Sequence, residues 1–279
     1  MVDRDARAAL DHAWWHARIG EAIDRRQSLR NIASAYRLVH GEGDGCPSLI
    51  VDRYDEFLII QLMSAGLEAF RGTIVDVLEE LVRPRGILAR NDVPLRAKEH
   101  LPVAVELLRG DVPHEIDVDE HGIRFLAAPW HGQKTGAFLD QRENRVLAAS
   151  VARGRALDCF SYHGSFALHL ARRADHVTAL DVSADALRRA AANCALNGIT
   201  NVSMVEADTF DYLRERWTAG DRFETIVLDP PAFAKSRAAL PAAVRGYKDI
   251  NLRAMRLLAR GGMLFTASCS FHLTKPMFL

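Results

Sequence analysis

Leu157-Asp158-Cys159-Phe160-Ser161-Tyr162-His163-Gly164-Ser165-Phe166 is the stretch on which the reading of this chain turns. An apolar run ends in an acidic residue, a turn follows, and Gly164 sits where a helix is about to start. Glycine lets backbone approach a ligand closely because it carries no Cβ. The same pattern repeats on both sides of this stretch. Helix 140–152 precedes strand 155–160, and helix 165–173 leads to strand 176–181. Helix 184–197 leads to strand 201–206, helix 209–216 to strand 223–228, and helix 248–259 to strand 262–268. Alternating β and α units of this length predict an α/β fold with a parallel sheet covered on both faces. Such sheets bind ligands beyond the carboxyl ends of their strands, at the topological switch point.

The strand ends are acidic. Asp158 closes the first and Asp181 the second, where a carboxylate suits a ribose diol. Glu206-Ala207-Asp208 follows the third, placed to meet an adenine, and Asp229-Pro230-Pro231 follows the fourth. A nicotinamide dinucleotide would share the Asp181 position, but it calls for G-x-G-x-x-G after the first strand. Only Gly164 is present there. Taken alone, that glycine could equally mark an ordinary strand-to-helix turn, but regularly spaced acidic strand ends argue for a ligand.

Upstream, residues near 5–30 read as one amphipathic helix, with Trp14, Trp15, Ile19 and Ile23 at helical spacing. The turn-rich Gly41-Glu42-Gly43-Asp44-Gly45 precedes strands Ser48–Asp52 and Phe57–Met63. Helix 67–82 keeps Leu67, Phe70, Ile74, Leu78 and Leu81 on one face. Strand Ile87–Arg90 follows, and Ile116–Leu126 reads as a hairpin around His121-Gly122. The expected domains are 1–115, a small α/β module facing RNA or substrate, and 116–279, the parallel-sheet domain with the hairpin leading it.

Composition narrows the function classes. The chain has 279 residues, 49% of them hydrophobic, enough for two cores. Its 36 basic and 36 acidic side chains cancel, which excludes gripping nucleic acid by bulk charge and leaves room for a local basic channel. Cys46, Cys159, Cys194 and Cys269 form no C-x-x-C pair, so no zinc or redox motif is expected. His40, His131 and His163 show no ligand spacing, and no metal is expected. Met1-Val2-Asp3-Arg4 is followed by no apolar signal region, and Phe57–Met63 is too short to span a bilayer. A soluble, cytoplasmic protein without a membrane partner is expected.

Several stretches together resemble the bacterial 23S rRNA 5-methylcytosine methyltransferases. They are Asp158 to Phe166, Asp229-Pro230-Pro231-Ala232-Phe233-Ala234-Lys235-Ser236, Arg245-Gly246-Tyr247-Lys248-Asp249-Ile250-Asn251 and Ser268-Cys269-Ser270. Gly41 to Gly45, Val51-Asp52-Arg53-Tyr54 and Gly132 to Arg142 join them, so the resemblance runs from about Tyr36 to the end. It implies a class I, Rossmann-like methyltransferase domain behind a small α/β domain, with S-adenosylmethionine as donor and ribosomal RNA as partner. It implies that Asp158 and Gly164 shape the methionine pocket, that Asp181 binds ribose and that Asp208 meets adenine. Gln133, Thr135, Phe138 and Gln141 would line the donor from the preceding segment, with Phe160, Asp229 and Pro230 completing the set. Members usually begin with a PUA RNA-binding domain and continue past the position of Leu279, so a fragment or shortened product is expected. The oligomeric state stays open, a homodimer being one option.

Carbon 5 of cytosine is a poor nucleophile until a thiolate adds at carbon 6, which is covalent catalysis. Cys269 is the candidate thiol, Lys235 a candidate for the positive setting that ionises it, and Asp229 the candidate partner of the cytosine N3/N4 edge. The other cysteines fit packing roles. Lys235 and Arg237 fit a solvated loop face as well as RNA contact, and Tyr247 could stack or pack. Two rivals stand beside this reading. An amino-group methyltransferase would use Asp229-Pro230-Pro231 without a thiol, although Ala232 lacks the aromatic stacker of that motif. A non-catalytic RNA-binding module would use neither.

Overall fold

The structure is a computed structural model and describes residues 9–234 and 236–279. The chain divides after Asp140 into two compact units. The first contains α1 (His12–Asp24), β1 (Ala35–His40), β2 (Leu49–Tyr54), β3 (Phe57–Leu62), α2 (Ala65–Glu68), α3 (Arg71–Val82), β4 (Gly86–Arg90), α4 (Pro94–Lys98), β5 (Val105–Gly110), β6 (Ile116–Glu120) and β7 (Ile123–Ala127). Strands β1 to β5 form one sheet in sequence order. Only β3 and β4 run parallel, because the crossover helix α3 joins them. Helix α1 starts where the Asp11 carboxylate accepts from Trp14 N at 3.0 Å. Trp15, Ile19 and Ile23 then fall on one face and pack with Ile74 and Leu78 of α3 over Leu38, Val51 and Ile60 of the sheet.

Three expectations are revised here. The first helix ends at Asp24, and Gln27–Asn31 turns more tightly as a 3-10 segment; residues 5–8 of the expected helix lie outside the described residues. Strands β1 and β5 were not foreseen. β5 carries Glu106 and Arg109 on a half-exposed sheet edge, so it lacks clean alternation. The hairpin belongs to the first unit, not the second. Ala33 bridges Glu120, and Ser34 N donates to Asp119 O at 2.9 Å, so the division falls at Asp140 instead of residue 115.

The second unit contains α5 (Arg142–Val151), β8 (Arg155–Cys159), α6 (Ser165–Leu170), β9 (His176–Asp181), α7 (Ala184–Leu196), β10 (Val202–Glu206), α8 (Thr209–Thr218), β11 (Phe223–Leu228), α9 (Leu240–Leu257), β12 (Leu258–Thr266) and α10 (Lys275–Phe278). Its sheet is parallel throughout, in the order β10-β9-β8-β11-β12. Strand β8 is central, and Ala156 to Cys159 are buried on both of its faces. Ala156 faces one cluster with Ala148, Phe166 and Val177, while Leu157 and Cys159 face another with Leu213, Ile250 and Leu257. The chain moves outward from β8 through β9 to β10, then returns to β11 on the other side. The switch point therefore lies between β8 and β11, where Val227 pairs with Asp158 and Leu228 with Cys159. Helix α9 begins at Leu240, ahead of the expected 248, because Pro241 is tolerated in a first helical turn.

Gly164 opens α6 with φ +83°, and a Cβ added there would stand 2.9 Å from the Ala190 Cβ. Gly164→Ala is therefore expected to destabilise the second unit by roughly 1–3 kcal/mol. Urea unfolding of the variant checks this, and an unchanged midpoint would show that the turn tolerates a side chain.

Candidate active site

The turn after β8 is built around one buried carboxylate. Asp158 Oδ2 accepts from Ser161 Oγ at 2.6 Å and from Ala167 N at 3.0 Å, tying the strand end to the turn and to the first turn of α6. Phe160, Tyr162 and Gly164 all take left-handed backbone, with φ of 63°, 51° and 83°. Non-glycine residues adopt this region rarely, and they concentrate at ligand sites. The bent backbone aims Tyr162 N at Asp181 Oδ2, 2.9 Å away, while Asp181 Oδ1 accepts from Ser183 N at 2.9 Å. Asp158, Gly164 and Asp181 thus belong to one hydrogen-bonded loop system. Asp208 is exposed and caps α8, its Oδ1 accepting from Phe210 N and Asp211 N.

At the switch point a cavity of 120 Å³ opens beside the end of β11. Gln141, Asn144, Phe166, Leu228, Asp229 and Ala267 are among its walls. Gln141 Nε2 donates to both Asp229 oxygens at 3.0 Å, and Asn144 Nδ2 donates to Gln141 Oε1 at 2.6 Å. The carboxylate is thereby oriented from the start of α5. Asn144 carried no motif signal; only its position three residues after Gln141 pointed to the same helix face.

Ser268-Cys269-Ser270 follows β12. Cys269 is exposed, and its Sγ lies 3.6 Å from the carbonyl oxygen of Pro230. The structure thus brings the thiol to the Asp229-Pro230-Pro231 segment across 39 residues of sequence. The other three cysteines are buried. Burial pushes the Cys46 and Cys194 thiols up to about 11 and raises that of Cys159 well above the ordinary thiol value, as suits inert packing thiols. Ser270, next to Cys269 in sequence, is buried. Its Oγ accepts from Ala234 N at 3.1 Å and shares a 2.9 Å hydrogen bond with the Tyr247 hydroxyl. Tyr247 in turn packs against Phe233 with ring centroids 4.5 Å apart. This link fastens the strand exit that carries Cys269 to the loop that leaves Pro231. The sequence alone leaves Tyr247 open between stacking and packing, because nothing local pairs it with Ser270. Lys235 lies outside the described residues.

Gln133, Thr135 and Phe138 fall in the first unit, whereas Gln141 opens the second. Thr135 is buried, donating to Asp52 Oδ2 at 2.6 Å and sharing a 3.0 Å hydrogen bond with the Tyr54 hydroxyl. Gln133 is exposed and its carbonyl accepts from Gly136 N at 3.0 Å. The Phe138 ring lies under Lys134, with Nζ 4.6 Å from its centroid.

Burial pushes the Asp158 carboxyl up to about 7, and the nearby Asp229 and Asp181 carboxylates add to the rise against the hydrogen bonds from Ser161 and Ala167. In the unfolded chain the same group ionises near 3.8. Between these values the native state holds a proton that the unfolded state has lost, so stability falls as pH rises through the window. Unfolding midpoints of the second unit should decline from pH 4 to 7, and Asp158→Asn should flatten the decline. A parallel slope in the variant would assign the effect to another group.

Comparison with known proteins agrees with this geometry. Residues 36–279 match the family described as S-adenosylmethionine-dependent methyltransferase. A protein named ribosomal RNA large subunit methyltransferase I from Shewanella amazonensis is 42% identical over 281 residues, covering 98% of this chain and 71% of that protein. The protein of the same name from Pseudoalteromonas atlantica is 40% identical over 268 residues, covering 94% and 68%. Among solved structures, the methyltransferase SMU.776, crystallised with SAH, superposes with a TM-score of 0.85 over 98% of this chain and 71% of that one. At 22% identity that likeness speaks for the fold alone. With its parallel sheet, its strained turn at the switch point and a family match over most of its length, the chain belongs to the S-adenosylmethionine-dependent methyltransferases.

Proposed function

We propose that this chain methylates carbon 5 of a cytosine in 23S ribosomal RNA, with Cys269 as the nucleophile. The observation that carries the chemistry is the 3.6 Å contact of Cys269 Sγ with the Pro230 carbonyl, which sets a solvent-accessible thiol against the Asp-Pro-Pro segment. The named relatives supply the substrate class, large-subunit ribosomal RNA.

The loop residues fit the donor. Gly164 keeps the floor of the turn free of a side chain, and Asp181 retains acceptor capacity on both oxygens beside its two backbone donors. Asp158, Phe160 and Gly164 would shape the methionine end, Asp181 would hold the ribose and Asp208 would meet the adenine. Gln133, Thr135, Phe138, Gln141, Asp229 and Pro230 complete the proposed set. When bound, S-adenosylmethionine supplies a methyl carbon made electrophilic by its sulfonium.

The remaining steps belong to the protein. In the resting state the Cys269 thiol donates to the Pro230 carbonyl, so its proton must leave to solvent before addition. The thiolate then forms a bond to carbon 6, and the ring electrons move to carbon 5 as an enamine. Asp229, oriented by Gln141, accepts from the N4 amino group and balances the protonated N3 edge. After methylation, carbon 5 gives its proton to a water molecule, the C5–C6 double bond re-forms as the carbon–sulfur bond breaks, the thiolate is released and N3 returns its proton to solvent. A base in folded RNA has to leave its stack to reach such a group.

Cys269→Ala should reduce RNA methylation by roughly a thousandfold or more, the scale of removing a covalent nucleophile, while donor binding measured by calorimetry stays unchanged. RNA carrying 5-fluorocytosine should form a denaturant-stable adduct with the native chain and none with the variant. Methylation that survives in Cys269→Ala would favour amino-group transfer by the Asp-Pro-Pro segment instead.

A further inference from the structure

Three of the stretches that carry the family resemblance have no part in the thiol chemistry: Gly41 to Gly45, Val51 to Tyr54, and the Lys134-to-Asp140 part of Gly132 to Arg142. In the first unit Asp52 of the second stretch and several residues of the third line one cavity of 530 Å³, a volume in the range of pockets that take a nucleotide-sized ligand, and Asp44 of the first stretch holds its wall residue Arg26. Its walls include Arg26, Arg37, His40, Asp52, Lys134 and Asp140.

The cations there are held in place. Arg37 donates from Nε to Asp52 Oδ1 at 2.8 Å and from Nη2 to Asp52 Oδ2 at 3.0 Å. Asp52 is buried and also accepts from Thr135, so its oxygens are spent on fixing the guanidinium. Arg26 is clamped in the same way, donating to Asp44 Oδ1 at 3.0 Å and Oδ2 at 2.7 Å. Lys134 Nζ donates to both Asp140 oxygens, at 2.8 and 2.7 Å. Arg37 Nη1 lies 3.2 Å from His40 Nδ1. A guanidinium only donates, so His40 Nδ1 accepts and the neutral ring carries its proton on Nε2. The planar fork of Arg37 keeps further N–H groups beyond these bonds, and the His40 ring adds another donor. Each of the three cations is paired with a carboxylate, Arg26 with Asp44, Arg37 with Asp52 and Lys134 with Asp140, so the charges balance and the cations are fixed in orientation. Pre-oriented cationic donors with unspent N–H groups recognise a phosphate group better than a neutral metabolite.

We propose that this cavity binds a phosphodiester-bearing nucleotide of the RNA substrate, with Arg37, His40 and Lys134 as its contacts. The inference rests on the reading that the substrate is RNA. It makes the first unit a recognition site in its own right, with fixed cationic donors in a chain of zero net charge.

The test measures binding of a fluorescent rRNA fragment by the whole chain across a salt series. Arg37→Gln and Lys134→Gln should each weaken binding roughly fivefold or more and lower the slope of log K against log salt by about 1. The far-UV circular dichroism spectrum of each variant should match that of the native chain, which reports an intact fold. Arg37→Lys keeps the charge without the fork, so it should restore the salt slope but not the full affinity. If the native chain binds RNA and both glutamine variants match it in affinity and slope, this inference fails while the proposed function stands. If the native chain binds no RNA, both fall. Cytidine monophosphate separates the remaining source: tight binding of the free nucleotide, lost in the variants while RNA affinity is unmoved, would assign the cavity to a small phosphate ligand and overturn RNA.

Discussion

The carboxylate of Asp158 is where the second unit becomes a site and not merely a sheet. It stands at the carboxyl end of the central strand, next to the switch point, and its Oδ2 is shared between Ser161 and the first turn of α6. Those two bonds, with the backbone bonds of Ser161 N to Leu180 O and Gly164 N to Ser161 O, hold Phe160 and Tyr162 in left-handed backbone, a conformation that costs of order 1–3 kcal/mol per residue. The strain is what turns Tyr162 N toward Asp181. A buried acid at β8 therefore positions a second acid at β9. Burial, with the neighbouring carboxylates adding to it, raises the affinity of Asp158 for its proton. A cationic ligand arriving at this loop would relieve that repulsion, which is the electrostatic sense of placing acids here.

A second constraint acts from the opposite side of the switch point. Asp229 is held by Gln141, Gln141 by Asn144, and the Pro230 carbonyl meets Cys269. Neither Cys269 nor Asp229 sits on a rigid element; both leave strand ends. Their precision depends on side-chain ties such as the Tyr247–Ser270–Ala234 link, whose donors and acceptors are buried and so are costly to leave unmade. This explains why the Ser-Cys-Ser flanks matter as much as the sulfur between them. The first unit follows the same rule with the charges reversed. There, buried or half-buried carboxylates orient guanidinium groups toward a cavity.

Much of this was legible in the sequence. The apolar run Ala156-Leu157 ending at Asp158, and the recurrence of that pattern at Asp181, Asp208 and Asp229, give the parallel sheet because strands buried on both faces must be continuously apolar. The resemblance of the Asp229-Pro230-Pro231 and Ser268-Cys269-Ser270 stretches points to the chemistry. Strand β5 escaped because a half-exposed edge strand tolerates Glu106 and Arg109, which blurs a period of two. The start of α9 escaped because Pro241 looks like a helix breaker when it can be a helix starter. The hairpin was placed with the wrong unit because backbone hydrogen bonds from Ser34 and Ala33 carry no side-chain signal.

What the sequence determined by itself is the sheet, the acids at its strand ends and the presence of a thiol near an Asp-Pro-Pro turn, since each follows from residue type and local period. What only the tertiary structure decided is which of these groups meet. Cys269 reaches Pro230, Tyr247 reaches Ser270, Thr135 reaches Asp52 and Arg26 reaches Asp44 over separations that no local rule spans. The physical reason is that strand order and loop closure, not spacing along the chain, set the distances between side chains. A hydrogen bond works only within about 3.5 Å, so its partners are fixed last, by packing.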